Sequence, residues 1–241
     1  MMKRIALLIA LLFAGCDGHP DPVPTPVSVA RSPRAQLPII GLFQETAEWC
    51  WAAVGEMVLR FYGEPNVNPF GNYQCGLVGA AGAIGVLPPV CQSNCSLCIL
   101  PIGSPAQFVT FLQSYPGVAQ SVTGVRTRPL SVTRQIGAPS YADIQGMIDS
   151  STPIIAGITP NNIPSPLGPA HATLIIGYDT TVPGGRGLIV NDPFPYGLGP
   201  FGPYGDPYLQ RGARYVSQAQ YLIDYAAFSA GLAWTDTIIA R

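Results

Sequence analysis

Apolar side chains recur at helical spacing directly after Cys50. In residues 50–61 they occupy positions 53, 54, 57, 58 and 61, the spacing of a helix with one buried face. Gly63 and Pro65 end this helix. Cys50 therefore falls in the first turn, where unpaired N–H groups and the helix dipole favour a thiolate over a thiol.

The rest of the chain divides into a helical part and a β-rich part. Serine caps predict further helices at 104–115 and 140–151, and residues 64–103 between them and the first helix are expected to be irregular. The β-branched runs predict strands at 153–159, 171–179, 187–192 and 233–240, and residues 215–228 carry a mixed pattern. Helices followed by an antiparallel sheet indicate an α+β domain.

Composition excludes one large class of function. The chain has 241 residues, with 12 Lys and Arg against 13 Asp and Glu. Nucleic-acid binders usually carry a basic patch, so this balance predicts no nucleic-acid partner. The hydrophobic content of 48% is ample for one core of ordinary size.

The first residues, "MMKRIALLIALLFAGC", have the pattern of an export signal. Lys3 and Arg4 precede an apolar run that is too short to span a bilayer permanently. Residues 13–16 resemble a bacterial lipobox, which implies a signal peptide over 1–15 and lipidation of Cys16. Asp17 resembles the signal that retains lipoproteins at the inner membrane. The protein is thus expected at the periplasmic face of the cell membrane; a simple secretory signal would make it secreted.

Residues 16–37 comprise this cysteine and a proline-rich segment with few apolar residues, which predicts an extended tether before a domain over 38–241.

The cysteines separate into a cluster and one left over. Without Cys16 five remain, and four of them lie within residues 75–98: Cys75, Cys91, Cys95 and Cys98. Export favours two disulfides over the alternative, a zinc site built on the C-x-x-C pair, and the sequence does not choose the pairing. Cys50 is then the unpaired thiol. No metal and no cofactor is predicted.

Catalysis by a thiol requires an imidazole base, and the sequence offers few. The chain has two histidines, His19 in the tether and His171 at the start of a predicted strand. A hairpin brings Asn191 and Asp192 back beside His171, where one of them can orient the imidazole. Because neighbouring strand residues point to opposite faces, only one can do so.

Four motifs in order, "QETAEWCWAA", "HATLIIGYD", "VNDPFP" and "WTDT", resemble those of papain-like cysteine peptidases, in particular the bacterial branch of AvrRpt2-type and C39-like enzymes. The resemblance implies a papain-like α+β fold with the site between helical part and sheet. It implies Cys50 as nucleophile, His171 as base and acid, and Gln44 with the backbone N–H of Cys50 as oxyanion donors. Asp192 is the third member by the bacterial pattern, with Asn191 as the alternative.

The function expected from these residues is hydrolysis of peptide bonds by a monomer that meets peptide or protein substrates. Trp49 and Trp51 are expected to shape the substrate cleft. The aromatic-rich stretch 193–208 is either a rim over that cleft or a surface loop locked by proline. Two alternatives stay open: an acyl or amide transferase using the same thioester, and an inactive binding module of the same fold.

Overall fold

The computed structural model describes residues 31–159, 170–198 and 205–241. The predicted signal peptide, Cys16 and most of the predicted tether lie outside these residues. Ser32–Arg241 is one compact unit. In the described ranges, no helix is both long and apolar enough to cross a lipid bilayer.

The secondary structure follows the predicted division into helices and strands. The described helices are α1 (Cys50–Phe61), α2 (Tyr73–Ala83), α3 (Val90–Ser93), α4 (Pro105–Thr123), α5 (Tyr141–Asp149) and α6 (Tyr225–Ser229), with 3-10 turns at Cys95–Leu97 and Leu209–Arg211. The described strands are β1 (Arg34–Gln36), β2 (Val132–Ile136), β3 (Ile154–Ile158), β4 (His171–Asp179), β5 (Gly187–Asn191), β6 (Arg214–Ser217), β7 (Gln220–Asp224) and β8 (Trp234–Ala240).

The strands form a single antiparallel sheet. Its order is β2-β8-β3-β4-β5-β7-β6, and β1 pairs with β4. Helix α1 packs against β4 at the centre of this sheet, and α2 packs against α1. The expected α+β fold, with a helical part that carries Cys50 and a sheet that carries His171, is confirmed.

Helix α1 is buried on every side rather than on the single face that the pattern predicts. All of its residues from Trp51 to Leu59 are buried. A Cβ atom on Gly55 would lie 3.2 Å from Leu77, so α1 and α2 approach closely at this glycine. The core therefore fixes the position of the helix that begins with Cys50.

The prediction of an irregular stretch at 64–103 is wrong, because this stretch contains α2 and α3. The sequence of α2, "YQCGLVGAAGA", has no amphipathic stripe, since eight of its residues are buried and the helix lies between other elements. The Cys75–Cys95 disulfide joins α2 to the 3-10 turn at Cys95–Leu97, and the Cys91–Cys98 disulfide joins α3 to the residue after that turn. The expectation of two disulfides is confirmed.

Other differences are local. Strand β1 lies within the predicted tether, so the folded part begins before residue 38. Helix α4 continues through Pro116 to Thr123, beyond the predicted end. Strand β2 follows it and pairs with β8 at the sheet edge. The mixed segment 215–228 contains most of β6, all of β7 and most of α6.

The disulfides make a direct prediction about the thiols. When unreduced protein is denatured and alkylated, the peptide that carries Cys50 should be labelled and the four cysteines of the cluster should not. Mass spectrometry before and after reduction measures this. Replacing Cys75 and Cys95 by serine should lower the free energy of unfolding by about 3 kcal/mol. The disulfide closes a loop between cysteines 20 residues apart, and without it the unfolded chain regains the conformational entropy of that loop. Labelling of all four clustered cysteines without reduction would contradict the pairing.

Candidate active site

Cys50 is the first residue of α1, and the start of this helix has no side-chain cap. The other described helices of five residues or more are capped by side chains, namely those of Asn72, Ser104, Ser140 and Asp224. The backbone N–H of Cys50 has no acceptor among the described residues. Such an orphan donor, at the positive end of a helix, is suited to binding an anion.

The residues before this helix form a tight loop around Gln44, called here the Gln44 loop (residues 43–47). The side-chain nitrogen of Gln44 donates to the carbonyl oxygens of Thr46 and Ala47, each at 2.8 Å. Its backbone N–H donates to the carbonyl of Pro193 at 2.9 Å. The Gln44 loop is thus tied to the residue that directly follows Asp192.

The two tryptophans beside Cys50 hold the disulfide-stapled segment in place. The indole N–H of Trp49 donates to the carbonyl of Cys98 at 2.8 Å, and that of Trp51 donates to Leu100 at 3.1 Å. Both rings are buried, and Trp51 packs edge-on against Phe111. Trp51 borders the cavity described below, whereas Trp49 is not among its lining residues.

His171 and Asp192 form a buried hydrogen-bonded pair. The distance between Nε2 of His171 and Oδ1 of Asp192 is 2.7 Å, and both side chains are almost fully buried. The other ring nitrogen, Nδ1, has no acceptor or donor of standard geometry among the described residues. Because Nε2 serves Asp192, the interaction between the imidazole and Cys50 falls to Nδ1.

The residues after Asp192 enclose this pair. The Asp192 Oδ1 atom also accepts the backbone N–H of Phe194 at 2.8 Å, and the hydroxyl of Tyr196 lies 3.4 Å from Oδ2. The ring of Phe194 stands edge-on to the imidazole. Phe194 and Tyr208 are buried and cover the core, whereas residues 197, 198 and 205 are exposed. The middle of the stretch 193–208, residues 199–204, lies outside the described residues, and none of its described residues lines the cavity described below.

Asn191, the alternative partner of the histidine, points to the other side of the sheet. Its amide nitrogen lies 3.3 Å from the carbonyl of Ile39, and its oxygen accepts a hydrogen bond from Gln220 at 3.0 Å. It also contacts the sulfur of Met57 on α1. The structure therefore brings Asp192, and not Asn191, to His171.

The charges around His171 favour the imidazolium. Burial is the largest influence and on its own would lower the pKa of His171. The charge and hydrogen bond of Asp192, with a smaller contribution from Cys50, outweigh burial and raise the pKa to about 10. The positive form is then present below this value and is lost as the pH rises through it.

A mainly apolar cavity of about 100 Å³ opens beside Cys50 and His171. It is well below the roughly 300–1,000 Å³ of typical small-molecule sites, so one side chain fits it better than a whole ligand. One wall comes from residues 101–105, which follow the carbonyls that the two tryptophans bind. The opposite wall comes from β3, β4 and β8. The apolar lining residues include Trp51, Ile102, Phe108, Ile155 and Ile238.

One acidic group faces this cavity. Asp236 lines it from β8, and its Oδ1 atom accepts hydrogen bonds from Arg134 on the neighbouring strand. Among the described residues, no group of three or more metal-ligating side chains occurs.

A comparison with models of known families gives one match. The model of the family described as "Peptidase_C39 like family" matches residues 36–199, more than half of the chain. The chain belongs to this family. The match to the Peptidase C39-like family covers Cys50, His171 and Asp192 and ends before β6, β7 and β8. A search of curated proteins finds no match.

The chain is also similar to a solved structure, that of digestive procathepsin L 3 from the larval midgut of Tenebrio molitor. The TM-score is 0.47 at 11% identity, over 88% of this chain and 70% of the other.

The structure places one polar residue against the site that the sequence analysis missed. Gln74, on α2, contacts the main chain of the Gln44 loop on both sides of Gln44. It lies in the stretch that was expected to be irregular, and no motif marks it. A buried glutamine in an otherwise small and apolar helix was the available signal.

Asp192 should control the titration of His171. Replacing Asp192 by Asn removes the charge that opposes burial, so the midpoint should fall from about 10 to below about 6.5. NMR of the imidazole rings measures this, because the chain has only two histidines and the variant His19→Gln assigns the signals. An unchanged midpoint in Asp192→Asn would contradict the pairing.

Proposed function

We propose that the protein is a cysteine peptidase in which Cys50, His171 and Asp192 act as the catalytic triad. The observation that carries the proposal is the buried His171–Asp192 hydrogen bond beside a free cysteine at the open start of α1. Membership of a peptidase family supports cysteine peptidase activity in general. The spatial arrangement, a nucleophile beside an imidazole that is bonded to a carboxylate, is that of known triads on other folds.

The reaction then proceeds in two acyl-transfer steps. The Cys50 thiolate attacks the carbonyl carbon of the substrate, and a C–S bond forms while the oxygen becomes negative. His171 donates the proton on Nδ1 to the leaving amine as the C–N bond breaks, which leaves a thioester. Water next attacks the thioester and gives a proton to His171, and the acid product leaves with the thiolate restored.

Asp192 keeps the imidazole in the orientation that both steps need. Its bond to Nε2 directs Nδ1 toward Cys50, and its charge stabilises the imidazolium that stands beside the thiolate. Phe194 covers one side of the pair and limits access of water to the hydrogen bond.

The negative oxygen has two donors in this proposal, the backbone N–H of Cys50 and the side chain of Gln44. The N–H of Cys50 is available at the helix start. Both N–H groups of Gln44 instead bond to the carbonyls of Thr46 and Ala47. Binding of the oxyanion therefore requires the Gln44 amide to give up or share one of these bonds.

The apolar cavity gives the substrate one anchoring point. A peptide bond held at Cys50 can place a neighbouring aliphatic or aromatic side chain between Ile102 on one wall and Ile155 and Ile238 on the other. Burial of such a side chain contributes about 1.5–3 kcal/mol, which helps to orient the scissile bond.

The same intermediate permits a transferase, because an amine can resolve the thioester in place of water. An inactive binding module is the third candidate. The burial of His171 with a paired Asp192 argues against the inactive module, since burying these groups is costly and needs a compensating purpose. Within this proposal the enzyme lies at the cell envelope, belongs to the AvrRpt2-type branch, acts as a monomer and needs no cofactor.

A thiol probe tests the proposed triad. Iodoacetamide should label Cys50 in the native protein, and His171→Ala should slow this labelling by about tenfold or more by removing the imidazolium that favours the thiolate. Cys50→Ala should abolish turnover of a peptide library, and His171→Ala should lower kcat by at least about 10³-fold. Cys50→Ser is the shape-matched control for substrate binding.

The products of that library decide between hydrolysis and transfer. Mass spectrometry should find free acids, with an apolar side chain enriched near the cut, and the same products when an added amine competes with water. Amides as the main product would favour the transferase. Labelling of Cys50 that is indifferent to His171 would contradict both enzymes.

Membrane anchoring is tested separately. With lipidation at Cys16, the full-length protein should sediment with membranes, and Cys16→Ser should move it to the soluble exported fraction. A lipid anchor of this kind binds through burial of its CH₂ groups, about 0.8 kcal/mol each. Asp17→Ser is the control that should leave attachment to a membrane unchanged. A Cys16→Ser variant that stays membrane-bound would refute the anchor.

A further inference from the structure

The Gln44 loop is held by a side chain from another helix. Gln74, on α2, accepts the backbone N–H of Glu45 at 3.0 Å and donates to the carbonyl of Phe43 at 2.9 Å. Its amide therefore bonds to the residues on both sides of Gln44, as a neighbouring β-strand would. Only about 2% of Gln74 is exposed, so water does not compete for these bonds.

A second contact from the same helix start supports the first. Asn72 caps α2 through the N–H of Cys75, and its amide nitrogen donates to the Glu45 carboxylate at 2.6 Å. The Cys75–Cys95 disulfide fixes this turn of α2. The first turn of α2 is thus a rigid support against which the Gln44 loop lies.

The bonds of Gln44 itself create the need for such a support. In the structure its amide closes the loop by bonding to Thr46 and Ala47. When the amide turns to bind the oxyanion, at least one of these bonds is released, and the loop loses a constraint at the moment when the donor must be positioned. A contact that does not involve the Gln44 side chain has to hold the main chain in place.

We propose that Gln74 is a positioning residue that holds the Gln44 main chain while the Gln44 amide serves the oxyanion. The inference rests on the proposed peptidase function. It assigns Gln74 an effect on the steps that form an oxyanion, and no effect on the reactivity of the Cys50 thiol. If Gln74 were purely structural, its replacement would change both the oxyanion-forming steps and the reactivity of the thiol, or it would change neither.

The test compares Gln74→Met with wild type and with Gln113→Met. Gln74→Met keeps the length of the side chain and removes both main-chain bonds, together with the contact between Gln74 and the Glu56 carboxylate on α1. Gln113, on α4, donates a side-chain hydrogen bond to the carbonyl of Val132 on β2, and it serves as an exposed control for the same replacement. In Gln74→Met we expect kcat on a peptide amide to fall at least about tenfold with KM within about threefold, since a displaced oxyanion donor is costly. Inhibition by a peptide aldehyde, which forms an oxyanion on the enzyme, should weaken at least about tenfold. Alkylation by iodoacetamide, which forms none, should stay within about twofold.

A double-mutant cycle then shows whether Gln74 acts through Gln44. In the Gln44→Ala background, Gln74→Met should lower kcat by less than about threefold. Full and equal losses in both backgrounds would overturn the inference, as would parallel losses of turnover and alkylation. Gln74→Leu, a second apolar replacement that places no charge beside the buried Glu56, is used if Gln74→Met unfolds at the assay temperature. An unchanged kcat in a folded variant refutes the proposal. A wild-type protein without turnover would contradict the proposed function and this inference together; an active wild type with normal Gln74 variants contradicts the inference alone.

Discussion

The uncapped start of α1 is the constraint on which the rest of the site depends. A side-chain cap would satisfy the first N–H groups, but it would also occupy the space that the oxyanion of the proposed mechanism needs beside Cys50. The helix start must therefore be fixed by contacts from outside it. Burial of α1 on all sides, the indole bonds of Trp49 and Trp51, and the bond from Gln44 to Pro193 meet this requirement.

The charge state of His171 depends on two opposing influences, its burial and the neighbouring carboxylate. Burial of His171 opposes the imidazolium, and a lone buried imidazole would be neutral. The Asp192 carboxylate reverses this, yet it is itself buried and needs donors. The imidazole and the Phe194 N–H supply them at Oδ1. The aromatic residues that follow Asp192 thus allow a charged pair to persist away from water, which strengthens the interaction between the pair.

Much of this could be predicted from the sequence, for reasons that differ between residues. Counting isolates Cys50 and His171, because the chain has few cysteines and histidines, and strand alternation limits the acid to one of two neighbours. The α2 helix escapes prediction because it is buried on most sides and has no apolar stripe. Its Gln74 escapes for a further reason: the contact spans 29 residues along the chain, and periodicity carries no information on such pairs. Of the two tryptophans expected to shape the substrate cleft, Trp51 lines the cavity, and the indole N–H groups of both bind main-chain carbonyls.

These tryptophan bonds connect the disulfides to the chemistry. The disulfides cross-link the cluster, and the Cys91–Cys98 bond fixes the carbonyl that Trp49 binds. The cavity wall that contains Ile102 comes shortly after Cys98 in the chain, so these contacts also hold this wall in place. Conditions that form these disulfides would also oxidise a reactive thiol that had a partner within reach. Pairing the four clustered cysteines with one another removes those partners, so the cross-links shape the site and also help to keep Cys50 free.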